Sequence, residues 1–126
     1  MNQKSNKGQF SFSKDERITN KKVIQKLFEN GKKVSLSPFI LKYFFDQNEG
    51  INKVLISVSK SKIKSSVKRN LLKRRIRESF RLNKSIIKNL GCSLAFVYSS
   101  SKILSYKEIN NSLIELLNKI NSDGKL

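Results

Sequence analysis

Between Lys60 and Arg81 the chain places ten lysines and arginines in twenty-two residues, with Glu78 the only acid, so this stretch carries +9 of a total +18. Neither Gly nor Pro interrupts the run from Val67 to Lys84. That continuity predicts a long helix opened by Ser65 or Ser66 as N-cap. Wound as a helix, Arg69, Lys73, Arg77 and Arg81 fall on one i, i+4 row, and Leu72, Ile76 and Phe80 on the row beside it. One flank packs while the other meets solvent. Like charges at this spacing cost a helix about 0.3 kcal/mol per pair, so helix stability does not explain the row. A partner's phosphates do. Five of the ten cations are arginines (Arg69, Arg74, Arg75, Arg77, Arg81), whose planar guanidinium grips phosphate through two bonds and stacks on exposed bases.

The rest of the chain builds a body for that helix. Residues 1–9 are polar, with Lys4 and Lys7, and predict a flexible basic arm; Phe10 and Phe12 open the folded domain, 10–121, and cover the edge of its first helix. Thr19 or Asn20 caps that helix, Val23, Ile24, Leu27 and Phe28 repeat at helical spacing, and Gly31 supplies a left-handed stop. Two strands follow, Val34 to Leu36 and Phe39 to Phe45, with Pro38 at the corner. Asn48 and Gly50 mark a turn, after which Val54, Ile56 and Val58 alternate with Leu55, Ser57 and Ser59 as a hairpin partner. Beyond the basic helix, Ile86, Ile87 and Leu90 precede Gly91, a second left-handed stop. Leu94 to Tyr98 is apolar at consecutive positions and predicts a central strand. Ser105 and Glu108 form a capping box, and Ile109, Leu113, Leu116, Leu117 and Ile120 make the inner stripe of a last helix. The tail, 122–126, is expected to fray. The order α-β-β-β-α-β-α predicts a single-domain α+β sandwich, a mixed four-stranded sheet with helices packed on it.

Composition narrows the chemistry. Against 27 Lys and Arg stand 9 Asp and Glu, a balance that demands a polyanionic partner. No stretch approaches the roughly 20 apolar residues of a spanning helix, so nucleic acid is expected and a membrane is not. The first eight residues lack the apolar core of a signal peptide, so a cytoplasmic location is expected. The chain has one cysteine, Cys92, and no histidine. A buried, inert thiol is expected, with no cysteine metal cluster and no Cys–His nucleophile. Only Asp15 and Glu16 are adjacent among the acids, at the approach to a helix where acids are simply favourable. A general base or metal cage for strand cleavage is thus not expected in the polypeptide. A ribosomal or other structural RNA-binding protein would share the charge and size. A DNA-binding module is a further alternative, although no helix-turn-helix pattern or zinc site supports it.

The segment Ser66-Val67-Lys68-Arg69-Asn70-Leu71-Leu72-Lys73-Arg74-Arg75-Ile76-Arg77-Glu78 resembles the arginine-asparagine-arginine signature helix of the bacterial ribonuclease P protein family, and Ser57-Val58-Ser59-Lys60 resembles the strand end before it. Val67, Arg69, Asn70, Lys73, Arg74, Arg77 and Glu78 carry the family's residue types in register, and the likeness spans nearly the whole chain. The resemblance implies a left-handed crossover around the signature helix, as in a domain of a small-subunit ribosomal protein. It implies a non-catalytic protein subunit, one per RNA, of an endoribonuclease whose RNA, with its Mg²⁺ ions, removes the 5′ leader of precursor tRNA. On this likeness Lys60, Arg69, Asn70, Lys73, Arg74, Arg77 and Arg81 contact the catalytic RNA. A cleft between the first helix and the sheet, with Phe28, Lys42 and Val58, takes the single-stranded leader. The chain departs from the pattern in three places. Lys64 and Ser66 stand in a slightly longer loop where relatives carry Gly and then Ala; Ile24 replaces an aromatic; Lys42 stands where an aromatic is frequent. Leader binding is thereby shifted from stacking towards charge.

Overall fold

Asn20 opens the first helix, its side chain accepting a bond from the Lys22 amide at 2.8 Å. From there a computed structural model, which describes residues 18, 20–46, 52–88 and 90–124, follows the predicted element order. It runs α1 Lys21–Asn30, β1 Lys32–Leu36, β2 Phe39–Phe45, β3 Lys53–Val58, α2 Ser66–Asn83, a 3₁₀ turn Lys84–Ile87, β4 Cys92–Tyr98 and α3 Tyr106–Gly124. The expected arm, Phe10, Phe12, Thr19, Asn48 and Gly50 lie outside the described residues.

The sheet order is β1-β2-β4-β3, with β4 antiparallel to β2 and parallel to β3. The hairpin expected between β2 and β3 is therefore not formed. The hairpin is β1–β2, turning at Ser37 and Pro38 with Leu36 opposite Phe39. Burial explains the exchange: every residue of β4 except Val97 is buried, so β4 takes an inner position between half-buried neighbours.

Alternation along the strands sorts side chains into two layers. Phe39, Leu41, Tyr43, Val54, Val58, Leu94, Phe96 and Tyr98 face α2 and α3 and form the main core with Leu72, Ile76, Phe80 and the α3 stripe. Ala95, Leu55 and Phe44 face the other way, under Ile18, Val23, Ile24 and Leu27 of the α1 side. Each fully buried Leu, Ile or Phe contributes roughly 1.5–3 kcal/mol, and all five predicted stripe residues of α3 are completely buried. Ser105 and Glu108 close the capping box, the Glu108 amide donating to Ser105 Oγ at 3.2 Å and the Ser105 amide to Glu108 Oε1 at 3.3 Å.

Gly91 adopts the left-handed conformation, φ 63°. Gly31 does not; its φ is −70°. Glycine is needed there for closeness, since a Cβ would lie 2.5 Å from the Leu27 carbonyl oxygen and 3.3 Å from that of Tyr43.

The far end of α3 also differs from expectation. The helix continues to Gly124 instead of ending at Asn121, because Asp123 ties it to the sheet. Its carboxylate accepts from Lys32 Nζ at 2.8 Å and from the Tyr43 hydroxyl at 2.9 Å. These bonds, that of Lys32 first, hold the Asp123 carboxyl below its ordinary range, and burial, then the Asp123 bond, pushes Tyr43 up to about 12. A carboxyl depressed in the fold stabilises it above the unfolded-state value and loses that contribution as pH falls through the folded value. The latch should therefore weaken from about pH 4 downward. Asp123→Asn is expected to lower the denaturant midpoint at neutral pH and to shrink the acid-side loss. Identical acid limbs in the two proteins would rule the latch out.

Candidate nucleic-acid interface

Ser65 starts α2: its hydroxyl accepts from the Lys68 amide at 3.3 Å and its carbonyl from the Arg69 amide at 2.9 Å. The inner flank, Leu72, Ile76 and Phe80, is completely buried, and the Phe80 ring meets Phe96 edge-on at 6.2 Å. Asn110 of α3 accepts from the buried Ser79 hydroxyl at 2.7 Å and from Asn83 at 2.9 Å, which fixes the rotation of α2 against its neighbour.

The predicted cationic row is divided by what it touches. Arg69 turns back on its own loop and donates to the carbonyls of Ile63 and Lys64, both at 2.8 Å. Arg81 clamps Glu78 with two bonds, 2.7 and 3.1 Å, and that bond holds the Glu78 carboxyl below its usual range. Arg75 donates to the Leu104 carbonyl. Between these anchored groups stand Lys73 and Arg77, with Arg74 and Asn70 on the outer surface. Among the described residues none of these four, nor Lys60, has a hydrogen-bonded or ion-paired partner, and only Lys73 is half-buried instead of exposed. Lys62, Lys64 and Lys68 add exposed charge around the helix start, where Val67 stands 77% exposed as an apolar contact. The structure brings Asn70, Lys73, Arg74 and Arg77 to one open side of α2, with Lys60 exposed in the loop before it; Arg69 ties that loop to the helix.

A second cationic surface lies across the sheet. Lys42 projects from β2 beside α1, where its Nζ donates to the Phe28 carbonyl at 2.7 Å and sits 5.6 Å from the centre of the Phe28 ring. It thereby satisfies a carbonyl in the last turn of α1. Phe28 is 40% exposed. Val58 is not brought there. It is buried in the main core, because positions 54, 56 and 58 of β3 face α2 and α3 while Leu55 and Ser57 face α1. The sequence also missed the residues that flank Lys42 on this face of the sheet. Ser35, Ile40, Val97 and Ser57 are register partners in one row across all four strands, and Lys33 is opposite Lys42 in the next row. Two lysines directly opposite one another are destabilising unless a polyanion lies over them. Alternation from Lys42 could have found Ile40; Val97 and Ser57 required a register between strands far apart in sequence.

Cys92 is completely buried, and burial pushes its thiol up to about 12, far from a reactive thiolate. Among the described residues no group of three or more His, Cys, Asp or Glu comes together, and no helix is long and apolar enough to cross a membrane.

Fold and surface define a class: a small α+β domain displaying an arginine-rich helix on one side of a mixed sheet and a lysine-aromatic shelf on the other. A family model described as Ribonuclease P matches residues 12–121. The ribonuclease P protein component of Clostridium kluyveri is 38% identical over 105 residues, covering 82% of this chain and 92% of that protein. A Staphylococcus aureus RNase P protein mutant with defective mRNA degradation activity superimposes with a TM-score of 0.74 at 28% identity, covering 86% of this chain and 90% of that one. The RNase P protein of Thermotoga maritima has the same fold, with a TM-score of 0.72, 22% identity and coverage of 82% and 96%. The chain belongs to the ribonuclease P protein family.

Proposed function

We propose that this chain acts in the cytoplasm as the RNA-binding protein component of ribonuclease P, one copy per catalytic RNA, and helps that RNA remove the 5′ leader of precursor tRNA. The observation that carries this reading is the open set Asn70, Lys73, Arg74 and Arg77, displayed by a helix whose other flank is completely buried, with exposed Lys60 in the loop before it. The lysines and arginines neutralise phosphates of the folded RNA and release its counterions, and Asn70 adds a neutral hydrogen-bonding group. Phe28 and Lys42, on the other side of the sheet, hold the unpaired leader through stacking and charge, a mode that tolerates any base sequence. The two sides together fix the substrate relative to the RNA's reacting centre, and positioning of this kind accounts for much of a catalytic effect.

The described residues offer Mg²⁺ no oxygen-rich cage, since no three acids converge among them. We assign the ion to the RNA. A nuclease activity of the isolated chain needs a general base. Here there is no histidine, and Glu78, the acid of the basic helix, is held by Arg81.

Reconstitution tests the reading. Added to transcribed ribonuclease P RNA at low Mg²⁺, the protein is expected to accelerate precursor cleavage, and alone, free of nucleic acid, to cleave nothing. Lack of acceleration, or cleavage by the protein alone, would overturn the assignment.

A further inference from the structure

The row Ser35–Ile40–Val97–Ser57, next along the sheet from Lys42 and its contact with Phe28, is a floor with a particular chemistry. Ile40 and Val97 are half-buried and belong to neither apolar cluster, and Val97 is the one residue of β4 that is not buried. Among the described residues α1 covers the Phe44, Ala95 and Leu55 side of this face and stops short of the row. Its two ends are the hydroxyls of Ser35, exposed, and Ser57, half-buried; among the described residues neither has a hydrogen-bond partner. Four strands at ordinary spacing put those hydroxyls ~14 Å apart, room for a short run of unpaired nucleotides. Lys33 and Lys42 line the neighbouring row and supply the positive charge a phosphate backbone needs.

What the floor lacks matters as much. Base edges are told apart by amides, carboxylates and guanidinium forks, and this row and its lysine neighbours contain none. A serine hydroxyl is small and both donates and accepts. It suits the ribose 2′-OH, which likewise does both and is the group that separates RNA from DNA.

We infer that Ser35 and Ser57 read the sugar of the single-stranded segment laid across the sheet, so that this shelf selects ribonucleotide over deoxyribonucleotide and is indifferent to base sequence. The inference rests on the proposal that this face takes the leader of precursor tRNA. Ile40 and Val97 give the backbone an apolar bed, Phe28 stacks a base at the rim, and the lysines hold the phosphates. Selection comes from the hydroxyls alone.

The test uses the assembled ribonucleoprotein and three substrates: precursor tRNA with an all-ribose leader, the same precursor with deoxyribose in the leader, and mature tRNA. With the unaltered protein, the deoxyribose leader should bind about fivefold more weakly than the ribose leader, the scale of a neutral hydrogen bond or two. In the Ser35→Ala, Ser57→Ala variant that difference should vanish, because deleting either partner of a hydrogen bond removes the same interaction. The thermal midpoint of the variant, measured beside it, establishes that it folds. An undiminished deoxyribose penalty in the variant, or none in the unaltered protein, overturns the sugar assignment. Mature tRNA separates that failure from a deeper one. If precursor with a ribose leader binds no better than mature tRNA, the leader proposal itself fails, and the sugar inference with it. If the leader contributes affinity and its sugar does not matter, only the inference falls.

Discussion

Replacing Lys73, Arg74 and Arg77 together with Ala is expected to weaken binding of ribonuclease P RNA by about a hundredfold or more. The slope of log K against log salt should flatten by about two to three units, roughly 0.7–0.9 for each phosphate that is no longer neutralised. The thermal midpoint should hardly move, because among the described residues these side chains have no partner within the protein and none of them is fully buried. Arg69→Ala is the informative contrast. From sequence it is an equal member of the row, yet its guanidinium is bound to the carbonyls of Ile63 and Lys64. Its loss frees the loop that carries Lys60, Lys62 and Lys64, so affinity falls through disorder of that loop while the salt slope drops by less than about one unit. Titrations of RNA across a salt series, with melts of the free proteins beside them, decide between these outcomes. An unchanged slope in the triple variant would mean that the exposed row is only solvated.

That contrast shows where the sequence was legible and where it was not. Spacing along one element reports which side faces inward. The α3 stripe, the Ser105–Glu108 box, the buried flank of α2 and the inner position of β4 were all readable for that reason. Spacing does not report what a polar side chain meets across a turn. Arg69, Lys73, Arg77 and Arg81 are equivalent on a helical net, and only the path of the 60–65 loop and the position of Glu78 divide them into two anchored and two open groups. The same limit produced the β2–β3 hairpin, a local guess that β4 displaces by inserting between the two strands. The resemblance, not spacing, put Val58 in the cleft; alternation in step with the buried Val54 turns it to the α2 and α3 side instead. Gly31 is a milder case: the residue type was informative, and the reason was the backbone's approach to Leu27 and Tyr43, not a positive φ.

Phe80→Ala should have the largest effect on stability, because that ring joins the cationic helix to the sheet. It is completely buried, lies edge-on to Phe96, and Phe96 in turn lies edge-on to Phe39 at 5.6 Å. Truncating a buried Phe costs about 3–5 kcal/mol through forfeited transfer energy and an unfilled cavity, against a total of only about 5–15 kcal/mol for a domain of this kind. A large part of the free protein should then be unfolded at moderate denaturant concentrations where the unaltered chain is still native. Leu82→Ala, on the same helix but 41% exposed, should cost within about 0.5 kcal/mol and serves as the control. RNA makes the prediction sharper. A ligand that binds only the folded state adds stability by mass action, about 2.7 kcal/mol at a hundred times its Kd, so ribonuclease P RNA should recover much of the drop in midpoint. The Phe80→Ala protein keeps every cation of the outer flank, and its salt slope, measured where RNA holds it folded, should match that of the unaltered chain. Inner and outer flanks of α2 would then fail in opposite ways: loss of Phe80 shifts the midpoint and spares the slope, while loss of Lys73, Arg74 and Arg77 spares the midpoint and flattens the slope. A Phe80→Ala midpoint equal to that of Leu82→Ala would show that α2 is not held to the sheet by this ring.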